Sequence, residues 1–226
     1  MSDAPLIRAV GLTKVYGDGG HTVPVLTGLD LEVQAGEMVV IVGESGVGKS
    51  TLLHILGALD RPTSGQIYFD GTDLATLGER ELAGLRNREV GFVFQFHHLL
   101  PDFSALENAM MPALIRGDSF EQAATRAQER LTQVGLADRL THKPGELSGG
   151  EQQRVAIARA VVGSPRVILA DEPTGNLDPA TADSVHTLLV ELNKGHGITF
   201  VIVTHNERLA ALADRTLRLY HGALTC

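Results

Sequence analysis

The fold of this chain is decided by one stretch, Gly43-Glu44-Ser45-Gly46-Val47-Gly48-Lys49-Ser50-Thr51. The stretch fits the pattern G-x-x-x-x-G-K-[ST], in which a glycine-rich loop surrounds the phosphates of a nucleotide. The apolar run 38–42 before it predicts a buried strand, and the segment 52–57 after it predicts the first turns of a helix. A strand, a glycine-rich loop and a helix in this order indicate a phosphate-binding loop rather than a simple turn.

The chemistry of the loop follows from its residue types. Glycines allow positive φ angles, so successive backbone N–H groups can point toward one centre. The start of the following helix adds partial positive charge at the same place. We expect Lys49 to reach the β- and γ-phosphates and the Ser50 hydroxyl to bind Mg²⁺.

Length and composition predict a globular domain. The chain has 226 residues, of which 43% are hydrophobic and 20% are charged. No apolar run approaches the roughly 18 residues of a membrane span, and the N-terminal residues lack the basic and apolar regions of a signal peptide. We therefore expect neither a membrane span nor a signal peptide.

The cysteine content and the net charge indicate the redox compartment and the kind of partner to expect. The single cysteine, Cys226, is the last residue and cannot form an internal disulfide, so we expect an inert thiol and a reducing compartment. The net charge is −8, and there is no run rich in Lys or Arg. Nucleic acid is therefore not expected as a partner.

Apolar strands alternate with helical patterns along most of the chain. Runs 167–170 and 198–203 predict two more buried strands, and the alternation favours a mainly parallel sheet with right-handed crossovers. Runs 6–15 and 23–33 predict antiparallel strands ahead of this core. Residues 96–162 look mostly helical, with one apolar helix face formed by Ala123, Ala127, Leu131 and Val134.

Polar residues follow several of the predicted strands, where ligands bind in open α/β sheets. Asp171 suits a Mg²⁺-binding carboxylate, and Glu172 suits a group that polarises water; a helix N-cap or a solvated turn is the alternative for this pair. His205 could contact the γ-phosphate or be a solvated strand end. Gln95 could bind Mg²⁺ or water, or be only a strand-end amide.

The stretch Leu147-Ser148-Gly149-Gly150-Glu151 precedes an apolar helix and predicts a second anion site. Ser148 and Glu151 have capping-box spacing, so a well-capped helix is the structural alternative. The hydroxyl and the glycine N–H groups at this helix start could also bind phosphate. A head-to-tail dimer could place the Ser148 end of one chain over the Lys49 loop of the other.

On these motifs the sequence resembles the ATP-binding subunits of ABC transporters over nearly its whole length. The resemblance implies ATP and Mg²⁺ as cofactors and a single α/β ABC ATPase domain, residues 1–226. It implies a P-loop NTPase (RecA-like) core with a mainly parallel sheet and an antiparallel β subdomain in residues 1–95 and 163–226. An inserted α-helical subdomain is implied for residues 96–162.

The resemblance also assigns roles to residues. It implies that Glu172, His205 and Gln95 are catalytic and that Ser50, Gln95 and Asp171 bind the metal. Tyr16 is implied to stack on adenine, although it could be only a strand-end tyrosine. The implied nucleotide-binding residues are Tyr16, Gly43, Glu44, Ser45, Gly46, Val47, Gly48, Lys49, Ser50, Thr51, Ser148, Gly149, Gly150, Glu151 and Asp178, the last in the D-loop Gly175-Asn176-Leu177-Asp178.

Within the family, the segment after Gln95 is similar to the lipoprotein-releasing type. This implies a homodimer with two ATP–Mg²⁺ sites at its interface, peripheral to the cytoplasmic face of the bacterial inner membrane. Integral membrane permease subunits would dock near residues 96–116, whose apolar residues could alternatively be ordinary core.

Other types of ABC ATPase remain open. The macrolide-export type and a cell-division type that regulates periplasmic enzymes without transport are similar alternatives. The repair or chromosome-maintenance class is disfavoured, because the helical insertion is short and the chain is acidic.

Overall fold

The computed structural model describes residues 4–17 and 20–225. Cys226, for which the sequence predicts an inert thiol, lies outside the described residues. The described strands are β1 Ile7–Tyr16, β2 Val23–Val33, β3 Met38–Val42, β4 Ser64–Phe69, β5 Thr72–Asp73, β6 Val90–Val93, β7 Val167–Asp171, β8 Thr199–Thr204, β9 Arg215–Tyr220 and β10 Ala223–Thr225. The α-helices are α1 Lys49–Leu56, α2 Glu79–Glu89, α3 Ala105–Arg116, α4 Phe120–Gln133, α5 Gly149–Val161, α6 Pro179–His196 and α7 Glu207–Ala210.

A six-stranded sheet forms the centre of the molecule, in the order β10-β9-β3-β8-β7-β6. The strands β9, β3, β8, β7 and β6 run parallel, and β10 pairs antiparallel with β9. Val42 pairs with Thr204, and Asp171 pairs with Val203. The residues that follow β3, β7 and β8 therefore emerge side by side at one edge of the sheet.

A second, four-stranded sheet is antiparallel and has the order β2-β1-β4-β5. Its inner face packs with α1 against one face of the central sheet, in a buried cluster that includes Ile7, Val33, Leu52 and Val201. Burial alternates along β2, with Leu29, Leu31 and Val33 inside, as period-two patterning predicts. The α/β fold class with a parallel core and an antiparallel sheet is confirmed.

Helices α3, α4 and α5 lie between β6 and β7 in the chain and cover the other face of the central sheet. They share one buried cluster with α6 and with core residues such as Val40 and Ile202. The predicted apolar face Ala123, Ala127, Leu131 and Val134 is fully buried. The boundaries of the helical subdomain, 96–162, stay a prediction.

The segment between β5 and β6 contains a helix for which the sequence analysis made no prediction. This helix, α2, spans Glu79–Glu89. Leu82 is its one buried residue, so the apolar repeat that would reveal a helix is missing. In the described part of the chain, no helix combines the length and the apolar character needed to cross a bilayer.

Candidate active site

A cleft of about 630 Å³ opens where β3, β7 and β8 end, at the edge of the sheet that the topology predicts for ligands. Most of the residues that were predicted to bind nucleotide or metal or to act in catalysis line this cleft. They are Gly43, Glu44, Ser45, Gly46, Gly48, Lys49, Ser50, Thr51, Gln95, Asp171, Glu172 and His205, together with Val25.

The glycine loop has the geometry of a phosphate cradle. Gly46 and Gly48 have φ angles of 81° and 106°, which only glycine adopts without strain. A Cβ on Gly48 would lie 2.7 Å from Val25 Cγ1 and 3.1 Å from the Val25 carbonyl oxygen. Lys49 is 8% exposed, and its Nζ donates to the carbonyl oxygens of Gly43 and Glu44 at 2.8 and 3.0 Å. The loop thus positions its own lysine at the cleft.

Helix α1 begins differently from its neighbours. Ser104, Ser119 and Ser148 cap α3, α4 and α5 through their side chains. Among the described residues, none caps α1 through a side chain, and its first turn holds no acidic residue. The start of α1 faces the cleft, so an anion there would take the place of a cap.

Glu172 lies at the centre of the polar contacts in the cleft. Its Oε2 accepts hydrogen bonds from the Thr204 hydroxyl at 2.8 Å and from the His205 backbone N–H at 3.3 Å. Its Oε1 lies 2.9 Å from His205 Nδ1 and 3.9 Å from Lys49 Nζ. These neighbours fix the direction of the carboxylate, whose side chain is 12% exposed.

The oxygen donors around the cleft fit a magnesium ion. Asp171 ends β7, Ser50 lies in the first turn of α1, and both line the cleft with Gln95. Mg²⁺ prefers oxygen ligands and binds nucleotide sites through one or two protein groups plus phosphates. Within residues 4–17 and 20–225, no three His, Cys, Asp or Glu side chains form a metal cluster of their own. A nucleotide-borne Mg²⁺ does not require such a cluster.

Gln95 makes a reciprocal contact that the sequence analysis did not predict. Its Nε2 donates to Asn176 Oδ1 at 3.0 Å, and Asn176 Nδ2 donates to the Gln95 carbonyl oxygen at 3.1 Å. The segment after β6 and the D-loop after β7 are thereby joined at the rim of the cleft.

Outside the segment Ser148–Glu151, three residues that were predicted to bind nucleotide do not line the cleft. Tyr16 donates its hydroxyl to Asp60 Oδ2 at 2.8 Å and lies under Lys14, whose Nζ is 4.7 Å from the ring centre. Val47 packs against the core cluster below the loop. Asp178 caps α6, because its Oδ1 accepts hydrogen bonds from the N–H groups of Ala180 and Thr181 at 3.1 Å. Their proposed contacts with nucleotide stay predictions.

The segment Ser148–Glu151 also lies outside the cleft lining of its own chain. The capping box is confirmed, because Glu151 Oε2 accepts from the Ser148 N–H at 2.9 Å and from its hydroxyl at 2.8 Å. These bonds and the Arg139 guanidinium lower the pKa of Glu151 to about 2. A Cβ on Gly150 would lie 2.3 Å from Thr181 Cγ2, so this glycine also permits the close packing of α5 on α6. An anion site at Ser148 stays a prediction.

Sequence reasoning missed Val25, Thr204 and Asn176. Val25 comes from the antiparallel sheet and reaches the loop only through tertiary packing, so no local pattern indicates it. Thr204 ends β8 beside the nominated His205 and could have been found as a strand-end hydroxyl. Asn176 could have been nominated as a polar residue within the D-loop, but its contact with Gln95 joins residues 81 positions apart.

Comparison with known proteins is consistent with this geometry. A sequence profile described as "ABC transporter" matches residues 26–175. The chain is 60% identical over 217 residues to the lipoprotein-releasing system ATP-binding protein LolD of Geobacter metallireducens, covering 96% of each chain. It is 53% identical over 224 residues to the protein of the same name from Idiomarina loihiensis, covering 99% of this chain and 98% of that one.

Solved structures are similar over the same length. A dimeric ATP-binding cassette in a post-hydrolysis state, bound to ADP and inorganic phosphate, superposes with a TM-score of 0.90. It is 40% identical and covers 97% of both chains.

Proposed function

This chain belongs to the ABC transporter family of ATP-binding proteins, and on that premise we propose that it is the ATP-hydrolysing subunit of a transporter that releases lipoproteins from the bacterial inner membrane. The proposed ATPase activity rests on one observation. The Lys49 loop, Asp171, Glu172 and His205 all line one cleft. The likeness to lipoprotein-releasing proteins over nearly the whole chain supports the transport type.

The cleft residues divide the work of hydrolysis. The N–H groups of the loop and Lys49 bind and neutralise the phosphates of ATP. Glu172 accepts a proton from the water that attacks the γ-phosphate. Because His205 Nδ1 faces Glu172, Nε2 is the atom of this imidazole that would contact the γ-phosphate. Ser50, Asp171 and Gln95 would hold Mg²⁺, which offsets the charge on the β- and γ-phosphates when bound.

The complete site is shared between two chains in this proposal. Ser148, Gly149, Gly150 and Glu151 do not line the cleft of their own chain, whereas the Lys49 loop does. A head-to-tail homodimer supplies the Ser148 end of one chain to the ATP of the other. The dimeric state of the structurally similar cassette supports this arrangement.

Permease subunits would dock on the segment 96–116. The aromatic side chain of Phe96 is 66% exposed and Ile115 is 76% exposed, although both are strongly apolar. Leu100 and Phe103 are also exposed, which adds apolar surface next to Gln95. Docking there would hold the chain at the cytoplasmic face of the inner membrane as a peripheral subunit.

The test is release of a lipoprotein by the reconstituted complex. The chain would be co-purified with its membrane subunits and incorporated into liposomes that contain a lipoprotein. We expect ATP-dependent transfer of the lipoprotein to a soluble acceptor, and its loss with Lys49→Ala. A complex that hydrolyses ATP without releasing lipoprotein, or that contains a division protein instead of a permease, would contradict the proposed transport role.

A further inference from the structure

Gln95 and Asn176 form a hydrogen-bonded pair at the rim of the cleft. Two hydrogen bonds join them, one from Gln95 Nε2 to Asn176 Oδ1 and one from Asn176 Nδ2 to the Gln95 backbone oxygen. Gly175 allows this approach, because a Cβ there would lie 3.1 Å from Gln95 Nε2. A turn closed by the Gly175 N–H and the Glu172 carbonyl at 3.0 Å holds the D-loop beside Gln95.

The chemistry of the pair determines which way each amide points. A backbone carbonyl oxygen can only accept, so the Asn176 atom that faces the Gln95 carbonyl must be the NH₂ group. Asn176 then presents Oδ1, an acceptor, to the Gln95 side chain. The Gln95 atom facing Asn176 must therefore be its own NH₂ group, and Gln95 Oε1 is left on the other side.

This orientation matters because the two ends of an amide differ toward a cation. An amide oxygen is a ligand for Mg²⁺, whereas an amide NH₂ group is a donor and is repelled by the ion. Gln95 lines the same cleft as Ser50 and Asp171. We infer that Asn176 is a positioning residue that fixes the Gln95 amide with Oε1 toward the nucleotide-bound Mg²⁺.

The inference rests on the proposed role of Gln95 as a magnesium ligand. Without Asn176, the Gln95 amide is free to rotate, and its NH₂ group would face the ion for part of the time. Loss of a hydrogen bond that selects one orientation corresponds to roughly a three- to tenfold weaker metal affinity. Nucleotide binding without metal does not use Gln95 Oε1 and should be unaffected.

The experiment measures metal binding rather than turnover. In the hydrolysis-deficient Glu172→Gln background, Mn²⁺ affinity in the presence of ATP would be followed by electron paramagnetic resonance, and ATP affinity would be measured with and without Mg²⁺. The variants are Asn176→Leu, Asn176→Ala, Gln95→Leu and the double variant Gln95→Leu with Asn176→Leu. Asn176 is exposed, so its replacement should not prevent folding.

Asn87→Leu provides the matched control. The Asn87 amide also donates to a backbone carbonyl of another element, that of Pro112 at 2.9 Å, but Asn87 does not line the cleft. We expect both Asn176 variants to weaken Mn²⁺ binding and to leave metal-free ATP binding unchanged. In the Gln95→Leu background, Asn176→Leu should cause no further loss of Mn²⁺ affinity, because Asn176 acts only through Gln95.

The possible outcomes distinguish failure of the Asn176 role from failure of the proposed metal site. If Gln95→Leu weakens Mn²⁺ binding but the Asn176 variants and the Asn87 control behave like the parent, Asn176 does not position Gln95. Additive losses in the double variant, or an equal loss of metal-free ATP binding, would also overturn the inference. If Gln95→Leu itself leaves Mn²⁺ affinity unchanged, Gln95 is not a ligand and the proposed metal site is wrong.

Discussion

Glu172 has a backbone conformation that side chains usually avoid. Its φ angle is 44°, in the left-handed region, where a residue other than glycine costs about 1–3 kcal/mol. The Glu172 N–H donates to the Val203 carbonyl at 2.9 Å, and the Thr204 hydroxyl holds the carboxylate. The fold thus imposes an unfavourable backbone conformation at the residue proposed as the base, as often occurs at functional sites.

We predict that Glu172→Gln lowers ATP turnover by about 10²- to 10⁴-fold, because the amide cannot accept the proton of the attacking water. ATP binding should persist, so the variant should accumulate as an ATP-bound dimer. Steady-state hydrolysis and size-exclusion chromatography with and without ATP would measure both effects. Glu191→Gln, on the exposed face of α6, is the control. Hydrolysis by Glu172→Gln at the wild-type rate would show that Glu172 is not the base.

Two glycines of the phosphate loop provide a matched pair for a second prediction. Gly48→Ala places a methyl group 2.7 Å from Val25 and strains the backbone, whereas Gly46→Ala meets nothing within 4 Å and adds only backbone strain. We predict a loss of ATP affinity of tenfold or more for Gly48→Ala and a smaller loss for Gly46→Ala. Equilibrium ATP binding, with circular dichroism to check folding, would measure the difference. Equal losses in the two variants would contradict the proposed steric role of Val25.

At the residue scale, the sequence predicted the groups that a local pattern specifies. Lys49 and Ser50 follow from the spacing of one loop, and Asp171 and Glu172 follow from their position after a strand. The contacts of Val25 with Gly48 and of Asn176 with Gln95 could not be predicted, because they depend on how distant segments pack. Composition and periodicity contain no information about such pairs.

At the scale of elements, helix α5 is tied to the segment that follows Gln95. Arg159, in the last turn of α5, donates to the carbonyl oxygens of His97 and His98 at 2.7 and 2.8 Å. Near the start of α5, the Gln152 side chain lies beside the His97 imidazole and donates to the Leu147 carbonyl oxygen at 3.1 Å. The proposed permease-docking segment and the Ser148 end of α5 are therefore connected by one helix.

We predict that Arg159→Met loosens this connection. Methionine keeps much of the apolar length but leaves two carbonyl groups without their donor, at a cost of about 1–3 kcal/mol for each that stays buried. Hydrogen exchange should become faster in residues 96–104, and ATP hydrolysis should become less responsive to the permease. Arg126→Met, on an exposed arginine of α4, is the control. Unchanged exchange in residues 96–104 would contradict the prediction.

The elements differ in how well the sequence predicts them. Helix α4 was predictable, because Ala123, Ala127 and Leu131 repeat at helical spacing and are fully buried. Helix α2 was not, because Leu82 is its one buried residue and most of its other residues are charged or polar. The regular spacing of apolar residues arises because one helix face is buried. A helix that contributes few residues to the core therefore lacks this pattern in its sequence.

At the scale of the whole molecule, two buried clusters cover opposite faces of the central sheet. One includes α1 and the antiparallel sheet, and the other includes helices α3 to α6. Val25 and the loop before α1 line the cleft on the first side, whereas Ser148 caps α5 on the second. The exposed Phe96 lies in the segment between β6 and α3. A chain built this way presents the Lys49 loop and the Ser148 end of α5 as separate surfaces, which fits the proposed completion of the site by a second copy.

The buried histidine His186 connects the stability of the whole molecule to pH. It is 2% exposed, and its Nε2 lies 2.9 Å from the hydroxyl of Thr174, between Glu172 and the D-loop. Burial lowers the pKa of His186, and Arg208 lowers it further, while Asp183 opposes the shift. The folded state therefore favours the neutral imidazole. Its stabilising contribution is complete above the unfolded pKa of about 6.5 and declines as the pH falls toward the lower folded pKa.

We therefore predict that the free energy of unfolding falls between about pH 7 and pH 5, before the carboxylates begin to protonate. His97, whose pKa burial also lowers, acts in the same direction. His186→Gln should be less stable than the parent at pH 7.5, and the difference should shrink at pH 5, because the variant no longer binds that proton. Urea denaturation of both proteins at several pH values would measure this. A difference independent of pH would mean that His186 stabilises the fold only through its contact with Thr174 and not through its protonation state.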